Sequence, residues 1–180
     1  HVAGIIGMSA NNGEGGVGIA YGAKIMAIKA GQATGVFSDT DIAEAINYAV
    51  AMGADVINMS FGGTGKSFLV EEALANAFGS CVLVAAAGNN GIPTADAPAD
   101  FPKKADIYPA GYSYVLGVMA TNQNGNLASF SNWDYYNNGG SAEYELTAPG
   151  VDIYSTLPGN QYAIWDGTSM ACPMVAAAAA

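Results

Sequence analysis

Ser169 lies in the string Gly167-Thr168-Ser169-Met170-Ala171-Cys172-Pro173, and the run from Thr168 to the closing alanines reads as a helix. A serine hydroxyl is a weak nucleophile at its own pKa. It needs a base to take its proton, a carboxylate to orient that base, and donors for the oxyanion that its attack creates. The first turn of a buried helix suits such a serine, because the helix dipole and free N–H groups there help to hold negative charge. Gly167 allows a substrate backbone to approach closely. The plain alternative is that Thr168 and Ser169 only cap a helix. Eighty residues upstream, Asn89 closes the string Ala85-Ala86-Ala87-Gly88-Asn89. It follows a strand pattern, at the sheet edge where open α/β sheets place their ligands. Taken alone, Asn89-Asn90-Gly91 reads as a turn. The chain has one histidine, His1, which invites nomination as the base. Gly13-Glu14-Gly15-Gly16-Val17-Gly18 has the spacing of a dinucleotide loop, with acids about twenty residues further on. Its context argues against that role: Gly22 and a strand pattern follow, not a helix N-terminus that would hold pyrophosphate.

The elements that must position these residues are legible in outline. Asp39 to Met52 is the clearest helix, with Ile42, Ile46, Ala49 and Val50 on one face. Asp41 and Glu44 give it a capping signal, and Gly53 ends it in a left-handed conformation. Ser67 to Phe78 is a second helix, stopped at Gly79. Ala23 to Ile28, Asp55 to Met59 and Cys81 to Ala86 read as buried strands, and Val115 to Ala120 and Tyr144 to Leu146 as further strands. His1 to Met8 is ambiguous between helix and strand. Buried strands alternating with helices predict an α/β fold with a parallel sheet and right-handed crossovers. No repeat or linker interrupts the chain.

Composition narrows the functional classes. The 180 residues are 51% hydrophobic and 11% charged, an ordered globular balance. One domain is the natural expectation, and such a fold buries roughly 70% of its unfolded surface. The formal net charge is −10, with five lysines as the only cations beside His1. Clustered cations are what nucleic acids and anionic membranes require, so neither is expected as a partner. No run of eighteen apolar residues predicts a membrane span. Cys81 and Cys172 are too few for a disulfide framework or a metal cluster, and both lie in apolar runs, which predicts two buried free thiols. Asn58-Met59-Ser60 is formally a glycosylation sequon, discounted because it sits at a buried strand end.

Three strings in order, His1-Val2-Ala3-Gly4, Ala85 to Asn89 and Gly167 to Pro173, resemble the subtilisin-like serine protease (subtilase) family. Tyr108-Pro109-Ala110, Val115-Leu116-Gly117-Val118, Ala128-Ser129-Phe130-Ser131 and Ala148-Pro149-Gly150-Val151 extend the likeness over nearly the whole chain. Met174 stands where the family often has His and Ala177 where Gly is common, and residues 133–141 form an insertion. The resemblance implies a three-layer fold and a serine-type endopeptidase acting on polypeptides, secreted or at the cell surface, monomeric, with no organic cofactor. It makes Ser169 the nucleophile, and gives the oxyanion to Asn89 and the Ser169 backbone N–H. Ser60, Phe61 and Gly62 would pair with an extended substrate, with Gly35-Val36-Phe37 as the opposite edge. Ala87, Gly88 and Ile107 would complete the substrate-binding wall, Ile107 limiting the specificity pocket. Tyr108-Pro109 is expected to be cis. A structural calcium ion is implied near the glycine loop, with Asn11 or Asn12 as a ligand.

His1 matches the second histidine of the family's His-Gly-Thr-His-Val-Ala-Gly, not the first, which is the base. It is therefore expected to be structural. The base and its aspartate are expected upstream of residue 1, so that residues 1–180 form a partial catalytic domain, truncated at both ends and inactive alone. Two other readings stay open. One is a non-catalytic homologue that binds peptides in the cleft; the other is a nucleotide-binding α/β domain resting on the glycine loop.

Overall fold

The computed structural model describes residues 1–32, 34–135 and 142–180; most of the insertion, residues 136–141, lies outside them. Four strands form a parallel sheet in the order β1 (Val56–Met59), β2 (Val82–Ala86), β3 (Leu116–Thr121), β4 (Leu146–Pro149). β2 explains why its sequence is apolar without alternation. Leu83, Ala85 and Ala87 point into one core with Met59, Leu74 and Tyr144. Val84 and Ala86 point into the other with Val118, Ala171 and Cys172. A strand covered on both faces has no polar side to show. Helices α2 (Asp39–Ala51) and α3 (Phe68–Ala77) contribute to the first core, and α4 (Thr168–Ala179) to the second. α1 (Val2–Gly7) packs against α4. The fold is the three-layer α/β arrangement expected.

Several boundaries differ from the sequence expectation for identifiable reasons. α2 is capped by Ser38, whose Oγ accepts from Asp41 N at 3.1 Å and donates to the Asp41 carboxylate at 2.7 Å. The cap thus lies three residues before Asp41, and Glu44 is not its partner. Gly53 does take a left-handed φ of 76°. Gly79 has no positive φ; α3 ends instead with Ser80 and Cys81 N–H groups on Ala77 O. β4 runs from Leu146, so Tyr144 precedes it as a buried core residue. A hairpin was not foreseen: β5 (Ile153–Leu157) pairs antiparallel with β6 (Gln161–Trp165). Its signal was present in Pro158-Gly159-Asn160, where Gly159 and Asn160 both have positive φ.

The largest departure is Ala23 to Ile28. It forms no strand, and Ile25, Met26 and Ile28 are 46%, 42% and 37% exposed. A strand needs a neighbour, and none of the described residues offers this segment one. It faces a cavity of about 1070 Å3 that is also lined by β1, the outer strand of the sheet, and by α2.

Candidate active site

Ser169 is the second residue of α4, at the carboxyl ends of β1 and β2. The residue just beyond β1 holds it: Ser169 Oγ donates to Ser60 O at 3.2 Å, and Ser60 Oγ donates to Ser169 O at 3.0 Å. Ser60 is itself held by Asn58, whose Nδ2 donates to Ser60 Oγ at 3.0 Å. Asn58 Oδ1 in turn accepts from the Cys172 thiol at 3.2 Å. A polar chain thus ties the first turns of α4 to the end of β1. Asn58 is committed within it, as the discounted glycosylation reading requires.

Asn89 approaches from the end of β2. Its Oδ1 accepts from Thr168 N at 2.9 Å and from Thr168 Oγ1 at 2.8 Å. Thr168 Oγ1 also accepts from Gly88 N at 3.1 Å. A backbone N–H can only donate, so the Thr168 N–H contact fixes which way the Asn89 amide lies. The Asn89 oxygen is spent on Thr168, and its NH2 group is directed away, from an exposed residue. Gly88 has φ 98°, the left-handed turn that lifts Asn89 off the strand. Asn132 supports this turn and had no local signal in the sequence. It is fully buried; Oδ1 accepts from Asn90 N and Ile92 N, and Nδ2 donates to Ala87 O.

The remaining expected residues fall around this pair. Phe61 and Phe37 stack at 4.7 Å, and both line a cavity of about 490 Å3 with Gly35, Gly62 and Tyr108. Gly63 and Tyr108 exchange backbone bonds of 2.8 and 3.0 Å. Tyr108-Pro109 is cis. Ala87 and Ile107 are buried, at 0% and 5% exposure. Both cysteines are free and buried, and burial pushes the Cys172 thiol up to about 12. A thiol so shifted stays protonated at neutral pH and serves as a donor to Asn58.

His1 sits elsewhere. Its ring stacks on Trp165 at 4.6 Å and Nε2 donates to Ala163 O at 3.2 Å, so it belongs to the hairpin. The glycine loop folds back on α1, with Gly18 N donating to Met8 O and Ile19 N to Ile5 O. It does not lead into a helix, in keeping with the rejection of a dinucleotide site. Asn12 Oδ1 accepts from Glu14 N inside its own turn, and Asn11 has φ 58°. Among the described residues, Asp96, Asp134 and Glu143 form a cluster with carboxylate oxygens within 4.8 Å of one another. Burial, then the neighbouring Asp134, Asp96 and Asp106, push the Glu143 carboxyl up. Among the described residues no helix is long and apolar enough to cross a membrane.

Comparison with known proteins gives a consistent result. The sequence pattern described as the Subtilase family matches residues 1–180. The chain is 42% identical to the thermophilic serine proteinase of Bacillus sp. (strain AK1), over 100% of this chain and 41% of the relative. It is 40% identical to subtilisin DY of Bacillus licheniformis and to subtilisin Savinase of Lederbergia lenta, covering 61% and 60% of their lengths. The chain therefore spans between about two fifths and three fifths of the relatives it matches.

Proposed function

The chain belongs to the subtilase family, and from that premise we propose that it carries the nucleophile half of a serine endopeptidase. Ser169 Oγ attacks the scissile carbonyl. The Asn89 NH2 group and the Ser169 backbone N–H receive the oxyanion, and the ends of β1 and β2 hold the substrate as an extended strand. The observation that carries this reading is the double contact of Thr168 with Asn89 Oδ1, which frees the amide nitrogen to donate. A turn asparagine would have no need of that orientation. The base and its carboxylate come from chain outside residues 1–180, because the only histidine here is engaged in the hairpin.

The finer parts of the reading are expectations of the same proposal. The substrate is polypeptide, the enzyme is monomeric and secreted or at the cell surface, and residues 1–180 form part of one catalytic domain. A calcium ion at the glycine loop would take a side-chain oxygen of Asn11 or Asn12, and its role would be structural. The relatives named above are proteinases, which disfavours a peptide-binding homologue without chemistry. The test is peptide hydrolysis by the longer protein that carries this chain. Ser169→Ala should lower kcat by about 10⁶, a magnitude carried over from subtilisin, a member of the same family. Activity within tenfold of the parent would remove Ser169 from the chemistry.

A further inference from the structure

We infer that Asn132 is a positioning residue for the oxyanion: it sets where the Asn89 amide stands relative to Ser169. The inference rests on the peptidase reading and deepens it. An oxyanion donor works when it is fixed before the charge develops, so the backbone on both sides of Asn89 has to be held. Asn132 holds both sides. Ahead of Asn89, Asn132 Nδ2 donates to Ala87 O at 3.0 Å, and the Asn132 backbone N–H donates to Gly88 O at 2.9 Å. Behind it, Asn132 Oδ1 accepts from Asn90 N at 2.9 Å and from Ile92 N at 3.3 Å. Two N–H donors on one oxygen fix the orientation of the Asn132 amide, and its nitrogen then meets a carbonyl. Gly88 makes the room: a Cβ built there would lie 2.6 Å from Asn132 Nδ2.

The clamp is itself anchored to the sheet. Asn132 is fully buried, and its carbonyl accepts from Ser131 Oγ at 2.8 Å. Ser131 Oγ in turn accepts from Ala120 N of β3 at 2.9 Å. On the other side of the turn, Thr168 holds Asn89 Oδ1, and Asn89 Nδ2 would lie 3.6 Å from a Cβ built on Gly167, two residues before Ser169. Thr168 thus fixes the Asn89 side chain, and Asn132 fixes the backbone that carries it. Without the Asn132 side chain, Ala87 O and the Asn90 and Ile92 N–H groups lose these partners, and the turn has to shift to find others.

The experiment measures kcat and KM for peptide hydrolysis by the longer protein and its variants. Each preparation is counted by fluorophosphonate labelling of Ser169 carried to completion, so that unfolded molecules do not enter kcat. Asn132→Ala should lower kcat by about 10–10² and leave KM within about threefold, since misplacing a reacting group by about 1 Å costs about 10². The loss should not exceed that of the donor itself, about 10²–10³ for its counterpart in subtilisin. The double variant is decisive. Because Asn132 acts through Asn89, adding Asn132→Ala to Asn89→Ala should change kcat by less than about threefold. An asparagine with a merely structural role would cost the same in both backgrounds. Asn132→Ser, which keeps a hydroxyl in the same space, should fall between the parent and Asn132→Ala, and it provides the same cycle if the alanine variant does not fold. Equal losses in the two backgrounds, an unchanged kcat, or a change in KM alone would overturn the inference and leave the peptidase reading intact. A parent that neither cleaves peptides nor labels at Ser169 would overturn both.

Discussion

Asn89 has an acceptor and a donor end, and Thr168 occupies only the acceptor. That division makes the residue-scale prediction specific. Asn89→Ala in the longer protein should lower kcat by about 10²–10³ with little change in KM, the size seen for the corresponding loss in subtilisin itself. A rate within about threefold of the parent would end the role, since that is only about 0.7 kcal/mol. Thr168 is the positioning residue behind it. Ser169 was legible from its heptapeptide, and Asn89 from its place after a strand together with its distance along the chain from Ser169. Asn132 and Asn58 were not legible. Both are fixed by contacts made far along the chain, Asn132 with Ala87, Asn90 and Ile92, and Asn58 with Cys172. A polar residue whose partners are remote carries no local pattern.

At the scale of elements, the helices and central strands were readable because burial imposes periodicity on them. Ala43, Ile46 and Ala49 repeat along one face of α2, and β2 is apolar throughout because cores lie on both sides. The hairpin β5–β6 escaped because its strands are short and half exposed, leaving only a turn signal. Ala23 to Ile28 has the composition of a buried strand, and composition cannot say whether a neighbour is present. The acidic cluster gives a prediction at this scale. Burial first, and then Asp96, push the Asp134 carboxyl above its ordinary 3.8, while the Thr94 hydroxyl opposes the shift. Glu143 is pushed up as well. A carboxyl with a raised folded-state pKa binds protons more tightly when folded. Its contribution to stability is full below the unfolded value and lost as pH rises through the folded one. Asp134→Asn should therefore be more stable than the parent at about pH 7, and the difference should vanish near about pH 4. Urea unfolding with a chelator present would check this. A gap that widened toward acid would contradict it.

At the scale of the whole molecule, both faces of the sheet carry a core, but the edge at β1 is open. α4 packs on all four strands, while Ile25, Met26 and Ile28 line a cavity beyond β1. Residues 1–180 alone should therefore be poorly soluble and should not hydrolyse peptides at enzymatic rates. Their single histidine is spent on Ala163 and Trp165, and among the described residues Ser169 Oγ bonds only a backbone carbonyl. The family and the three-layer fold were legible because short strings around glycine, asparagine and serine fix them. The central claim is that Ser169 is a nucleophile activated by groups outside this chain. The most direct measurement is mass mapping of a fluorophosphonate adduct on the longer protein and, in parallel, on residues 1–180. The account predicts one stoichiometric adduct on Ser169 in the longer protein, and none on the same time scale in the shorter. An adduct on another residue, or equal labelling of Ser169 in both, would contradict it.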